Sequence, residues 1–201
     1  MEITPNIDLK DKTPKVRKLS DMKTVVYDQE WIKTAPDTDL YYMYGDLIEE
    51  GILKYSITVV KPKMLGGEFD KTKGHTHIGD YKETYTVLEG DAIYLMQKTN
   101  NDVVEDVYAV MAKKGESIII PSGYGHVTIN VGKKVLKTGD WRNVNCKQNY
   151  SLFEKLHGAC YYYILENGEA KWIKNENYKS VPELRFKEPL KSIPQDLSFL
   201  K

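Results

Sequence analysis

Short stretches in which polar and apolar residues alternate make up most of the chain, and they predict strands. From Leu40 onward such stretches include Leu53 to Val60, Asp91 to Gln97 and Val103 to Met111, with turn-forming residues between them. Asn167-Gly168, which lies between the predicted strands Cys160 to Leu165 and Glu169 to Lys174, is typical of a tight hairpin turn. About nine to twelve short strands with few helices predict an all-β protein, a β-barrel or jelly roll with a few short peripheral helices.

The two ends of the chain lack this alternation. Residues 1–18 are polar and contain two prolines, so we expect an extended N-terminal arm. Residues 19–174 are predicted to form the barrel and its flanking elements, and residues 175–201 a C-terminal extension. A length of 201 residues with 41% apolar content fits a single domain, 1–201, that buries one core.

Composition and charge point to a small-molecule partner. The 29 basic and 29 acidic residues cancel and form no long run of one sign, which argues against a nucleic acid or a membrane surface as partner. No apolar stretch approaches the roughly 20 residues of a transmembrane helix. Cys146 and Cys160 lie in no CxxC pattern and no signal peptide precedes them, so we expect reduced thiols and a cytoplasmic protein.

The first chemically distinctive stretch contains His75, His77 and Glu83. His75 and His77 are separated by one residue, so on a strand their side chains leave the same face and can reach one ion. Glu83 begins a second alternating stretch in which Tyr85 shares its face. We expect a hairpin to bring Glu83 back against the two histidines.

A second stretch contributes His126. Ser117 to Ile120 is short and β-branched and is followed by Pro121, as at the end of a buried strand. On the next predicted strand His126, Thr128 and Asn130 share one face. Three imidazoles and one carboxylate suit Fe(II), Mn, Co, Ni or Zn. We therefore predict one divalent metal ion (Fe(II), Mn(II), Ni(II) or Zn(II)) with His75, His77, Glu83 and His126 as ligands, whereas the isolated His157 is interpreted as structural.

Both stretches resemble the motifs of the cupin superfamily. The matching positions are Gly115, Pro121, Gly123, His126 and Asn130 in the second stretch, and His75, His77, Glu83 and Gly90 in the first. The first departs from the usual pattern because Phe69 replaces a glycine and because the spacing from His77 to Glu83 is longer than common. The resemblance implies a cupin barrel.

Within that superfamily the chain resembles the cupin-type glucose-6-phosphate isomerases, which are best known from archaea. The resemblance covers about residues 15 to 178 and rests on the segments Arg17 to Met22, Ile57 to Val60, Glu68-Phe69, Thr72 to His75, Glu83 to Tyr85 and Asn149-Tyr150. It implies an enzyme of glycolysis and gluconeogenesis, a metal-dependent aldose-ketose isomerase acting on glucose 6-phosphate and fructose 6-phosphate. We also expect a homodimer.

The resemblance also implies roles for individual residues. Glu83 is the proposed base for an enediolate intermediate, and Tyr85 would orient that carboxylate or contact the sugar. The substrate-binding candidates are Thr58, Thr72, Lys73, Gly74 and Tyr150. A direct hydride shift between the two carbons is the alternative to proton transfer, and Glu83 would then only position metal and sugar.

Two other functions remain open for the same ligands. A cupin Fe(II) dioxygenase would need an apolar pocket and gives no role to Thr72, Lys73 and Gly74. A non-catalytic, metal-containing, sugar-binding cupin would tolerate the loss of Glu83. Fold alone does not separate these readings, because one fold hosts many functions.

Overall fold

A computed structural model of the protein describes residues 3–201, and strands dominate it. The strands are β1 (Lys15–Lys18), β2 (Asp39–Glu50), β3 (Leu53–Val60), β4 (Met64–Leu65), β5 (Glu68–Phe69), β6 (Thr76–Ile78), β7 (Glu83–Glu89), β8 (Asp91–Asn100), β9 (Val103–Lys113), β10 (Ser117–Ile120), β11 (Tyr124–Asn130), β12 (Leu136–Asn143), β13 (Lys147–Asn149), β14 (Tyr161–Glu166), β15 (Glu169–Lys174) and β16 (Arg185–Lys187). Two short helices, α1 (Trp31–Thr34) and α2 (Ser151–Lys155), and 3-10 turns at Leu19–Met22 and Ser198–Leu200 complete the regular structure within residues 3–201.

Two larger sheets form the barrel. The first has the strand order β1-β2-β3-β12-β7-β10 and the second the order β11-β8-β9-β16. One hydrophobic cluster takes residues from both sheets, and across it the rings of Tyr85 and Tyr94 lie 5.5 Å apart. Two smaller sheets, β13-β6 and β15-β14-β5-β4, lie beside them. The all-β prediction with short peripheral helices is confirmed.

The wall formed by β3 and β12 is polar on its inner side and apolar on its outer side. Successive side chains of a strand point to opposite faces. Thr138, Asp140 and Arg142 therefore share the inner face of β12, whereas Trp141 packs on the outer face in a second hydrophobic cluster with Tyr55. This alternation places charged groups inside the barrel.

The hairpin turn predicted at Asn167-Gly168 is present in the structure. Asn167 and Gly168 join β14 to β15 with φ values of 53° and 84°, the left-handed conformation that a two-residue hairpin needs. Asn101 has a φ of 55° in the turn between β8 and β9.

Three expectations need correction. The predicted hairpin between the histidine pair and Glu83 is wrong, because β6 pairs with β13 while β7 pairs with β10 and β12. The N-terminal arm ends earlier than predicted, because Lys15–Lys18 pairs with β2 as an edge strand of the first sheet. The strands outnumber the predicted nine to twelve, since ladders of two or three residues are too short to show alternation.

The C-terminal extension is packed against the barrel. Its strand β16 runs parallel to β9, and Ile193, Leu197 and Leu200 are buried in the second hydrophobic cluster. The division into one domain with an arm and an extension otherwise stays a prediction. No helix within residues 3–201 combines the length and apolar character needed to cross a bilayer.

Candidate metal centre

His75 and His126 are brought together by their backbones. The two residues form an isolated antiparallel bridge, with N–H to O distances of 3.2 Å and 3.0 Å, and their rings lie 4.4 Å apart. The residue before His75 has room only for glycine, because Gly74 has a φ of 80° and a Cβ there would lie 2.7 Å from Phe153 Cδ1. The predicted proximity of the two motifs is therefore present.

His77 and Glu83 complete the cluster from other strands. His77 Nε2 lies 3.1 Å and His126 Nε2 lies 3.4 Å from Glu83 Oε2. One ligand atom from each of the four residues lies within 4.8 Å of all the others. His77 Nδ1 donates to the carbonyl of Tyr81 at 3.3 Å, which orients the ring so that Nε2 is directed at the cluster.

The cluster has the unused polar atoms that a metal ion would satisfy. Among the described residues, His75 Nε2 and His126 Nδ1 are buried without a hydrogen-bond partner. Each such atom costs about 1–3 kcal/mol when buried and unpaired. Three imidazoles and a carboxylate are also a donor set for divalent transition metals. The residues therefore fit a single divalent ion.

Burial sets the protonation of the cluster. It lowers the pKa of His126 to about 4 and that of His75 well below its usual range. For Glu83, burial is outweighed by the hydrogen bond and charge of His77, so the pKa falls below its usual value. For His77, burial is outweighed by hydrogen bonds to Cys146 and Glu83, which raise the pKa to about 10. Two neutral imidazoles and an ionised carboxylate are ready to bind a cation, and an ion at His77 displaces a proton.

A cavity opens beside the cluster. Its lining comprises Tyr41, Met43, Thr58, Thr72, Lys73, Gly74, His75, Tyr85, His126, Thr128, Thr138, Gln148 and Tyr150. All five predicted substrate-binding residues and Tyr85 belong to this lining. His77 and Glu83 do not, and the Glu83 side chain is only 1% exposed.

Hydroxyl groups with capacity to donate surround the cavity. The Tyr41 hydroxyl accepts the backbone N–H of Lys73 at 3.1 Å and Arg17 Nε at 3.2 Å, so its own proton remains available. Thr72 Oγ1 accepts the backbone N–H of Thr128 at 3.0 Å and keeps its proton likewise. Lys73 Nζ pairs with Glu154 on α2 at 2.5 Å, so part of its charge is already neutralised.

Sequence reasoning missed the polar residues of β12. β12 runs from Leu136 to Asn143 and carries Asp140 and Arg142 to the neighbourhood of Glu83. The alternation of Thr138, Asp140 and Arg142 was the available signal, since polar residues two apart share one face. His157 is exposed and lies outside the cluster, and its structural interpretation stays a prediction.

A β-barrel that gathers three histidines and one glutamate from the two matching motifs beside a polar cavity defines a metal-site cupin. The family model described as Glucose-6-phosphate isomerase (GPI) matches residues 16–181. The chain belongs to this glucose-6-phosphate isomerase family.

Relatives from archaea extend this comparison. The chain is 32% identical over 172 residues to a glucose-6-phosphate isomerase of Thermococcus litoralis, covering 83% of each chain. It is 31% identical to one of Pyrococcus horikoshii, covering 82% of this chain and 88% of the relative. Among solved structures, it is similar to an oxalate oxidase with glycolate (TM-score 0.41, 18% identity, 49% and 46% of the two chains). It is also similar to CapF of Staphylococcus aureus (TM-score 0.43, 19% identity, 52% and 28%).

Proposed function

We propose that this protein is a metal-dependent aldose-ketose isomerase that interconverts glucose 6-phosphate and fructose 6-phosphate. The observation that supports it best is a single cavity whose lining contains His75 and His126 together with Thr72, Lys73 and Gly74. A phosphosugar needs both, because its reacting carbons and its phosphate are at opposite ends. A homodimer in the cytoplasm is part of the same proposal.

His75, His77, Glu83 and His126 would hold the ion, for which Fe(II), Mn(II), Ni(II) and Zn(II) all suit the donors. When bound, the ion supplies Lewis-acid polarisation of the sugar carbonyl and stabilises negative charge on its oxygens. The low pKa of Glu83 keeps the carboxylate ionised for this role.

The protein's own groups would manage the proton. In the direction from aldose to ketose, Glu83 is the proposed base that takes the proton from C2, and its protonated carboxyl group would then return the proton to C1. Burial raises the pKa of Tyr85 well above its usual range, so its hydroxyl stays protonated and can donate to a sugar oxygen. Because Glu83 lies outside the cavity lining, the direct hydride shift remains the competing route, in which Glu83 only positions ion and sugar.

The phosphate would bind beside Thr72 and its neighbours in the cavity lining. The Thr72 hydroxyl retains a free proton, and Thr58, Gly74 and Tyr150 line the same space. Hydroxyl groups and backbone N–H groups are suitable phosphate donors. Lys73 adds charge, although Glu154 shares it.

A coupled assay with fructose 6-phosphate tests the proposal. Metal-free protein is loaded in turn with Fe(II), Mn(II), Ni(II) and Zn(II), and glucose 6-phosphate formation is followed. We expect turnover with at least one metal, its loss in His126→Ala, and its retention in the matched control His157→Ala, which changes an exposed histidine. Absence of turnover with all four metals would refute the isomerase.

The same preparation distinguishes the alternatives. The polar cavity lining argues against a dioxygenase, and an oxygen electrode should record no oxygen consumption. A non-catalytic sugar-binding protein predicts that Glu83→Gln changes nothing, whereas the isomerase predicts retained metal and a large loss of kcat.

A further inference from the structure

The inner face of β12 lies directly against Glu83. In the antiparallel pair of β12 and β7, Arg142 is the cross-strand partner of Glu83 and Asp140 is the partner of Tyr85. Cross-strand partners on one face have Cβ atoms about 5 Å apart and interact directly. Asp140 and Arg142 are therefore built against two residues of the proposed catalytic machinery.

The two carboxylate oxygens of Glu83 have different surroundings. Oε2 lies 3.1 Å from His77 Nε2 and 3.4 Å from His126 Nε2. Oε1 has no hydrogen-bond partner among the described residues and lies 3.8 Å from Arg142 Nη1. One oxygen thus belongs to the imidazole cluster, and the other faces the guanidinium.

Arg142 is held in place from two sides. Its Nη1 pairs with the buried carboxylate of Asp140, and its Nη2 lies 3.9 Å from Asp46 Oδ1. Lys54 Nζ in turn lies 3.2 Å from Asp46. The planar guanidinium therefore stays between Asp140 and Asp46, beside the imidazole cluster and outside it.

A gain in stability alone does not explain why Asp140 and Arg142 form a buried ion pair. Replacing a buried ion pair by apolar residues of similar volume is often neutral or stabilising, because desolvation offsets the attraction. Charged groups beside a metal ligand, by contrast, commonly orient that ligand and adjust its strength. The location of Asp140 and Arg142 favours the second role.

We propose that Asp140 and Arg142 form a positioning pair for Glu83, in which Arg142 holds Oε1 and leaves only Oε2 to face the metal ion. A carboxylate that shares its charge with a guanidinium is a weaker metal ligand, and the guanidinium also favours its ionised form. The kinetic part of this inference rests on the proposed function, and the metal-binding part does not.

Cobalt(II) substitution tests the pair, because the visible spectrum of Co(II) reports the number and geometry of its ligands. We expect Arg142→Met and Asp140→Asn to change the Co(II) spectrum and to lower kcat by about 10- to 100-fold, the usual effect of losing a group that orients a ligand. KM should stay within about threefold, since the pair does not line the cavity. The control is Arg185→Met, which removes an arginine paired with Asp106 on the exposed surface. It should change neither the Co(II) spectrum nor kcat.

A paired replacement covers the case in which Arg142→Met fails to fold. Asp140→Leu combined with Arg142→Met removes both charges of the buried pair together, so it should fold yet keep the altered spectrum and the low kcat. A Co(II) spectrum and kcat identical to wild type in either Arg142→Met or the double variant would overturn the positioning role. Should the wild-type protein turn over no sugar phosphate, the isomerase fails but the spectra still decide the positioning role.

Discussion

Lys71 and Glu68 form a buried ion pair below the segment that carries Thr72 to His75. Both side chains are nearly inaccessible, and Lys71 Nζ also donates to the carbonyl of Val25 at 2.9 Å and lies 5.0 Å from the centre of the Tyr162 ring. Lys71→Met removes the cation and leaves the Glu68 carboxyl buried without it. The remaining contact of that carboxyl is the backbone N–H of Tyr27 at 2.9 Å.

The expected cost follows from this arrangement. Removing one partner of a buried pair destabilises a protein by about 3–5 kcal/mol. For a chain of this size that loss corresponds to a fall in Tm of about 6–20 °C. The control Lys171→Met breaks an exposed pair with Glu166 and should cost no more than about 1 kcal/mol.

The penalty should depend on pH in a defined direction. Burial raises the pKa of Glu68 and Lys71 opposes that rise, so removing the lysine raises it further. A carboxyl whose pKa is raised on folding is best tolerated when protonated, and its cost appears as pH rises through the folded-state pKa. Urea unfolding followed by tryptophan fluorescence should therefore show a larger penalty at about pH 8 than at about pH 5.5.

Two results would refute the reasoning about Lys71. One is a loss of less than about 1 kcal/mol in the free energy of unfolding on Lys71→Met, because a value so small is typical of exposed ion pairs. The other is a penalty that does not vary with pH. As an internal check, Glu68→Gln combined with Lys71→Met should recover most of the stability, because the amide oxygen still accepts from Tyr27 and no charge is buried.

Three further predictions concern the site and its supports. Gly74→Ala and Gly168→Ala both place a side chain at a φ near 80°, but only position 74 lacks space for it. Urea unfolding should therefore show that the free energy of unfolding falls by about 2–4 kcal/mol for Gly74→Ala and by about 1 kcal/mol for Gly168→Ala. Equal losses would contradict the packing argument. Removing metal with a chelator should lower Tm, and a divalent ion at about 100 times its Kd should restore about 2.7 kcal/mol; His126→Ala should abolish this response, and a full response would contradict the ligand assignment. Thr72→Val removes the free hydroxyl but keeps the shape, so KM for fructose 6-phosphate should rise about tenfold, as for the loss of one hydrogen bond to a charged group, while bound metal measured by elemental analysis stays unchanged; an unchanged KM would remove Thr72 from the phosphate site.

Local rules predicted the parts of the site that depend on neighbours in sequence. The separation of His75 and His77 and the alternation around His126 follow from strand geometry, and both motifs meet in the structure. Asn167-Gly168 likewise determines its own turn. In each case the information lies within a few residues.

The sequence did not reveal which strands pair when they lie far apart in the chain. The partner of β6 proved to be β13 and not β7, because a three-residue strand carries too little pattern to select among several edges. Asp140 and Arg142 were missed for a related reason, since their significance depends on β12 lying opposite Glu83. Pairings of this kind depend on contacts between segments far apart in the chain.

The outer face of β12 bears on how variants of this protein should be prepared. Trp141 Nε1 donates to the carbonyl of Ile3 at 2.7 Å, and Asn143 Nδ2 donates to the carbonyl of Leu200 at 3.4 Å. Residues from both ends of the sequence therefore support the strand whose inner face carries Arg142. An affinity tag at either end is attached beside this support, so tagged and untagged preparations should have equal kcat before any substitution on the inner face is interpreted.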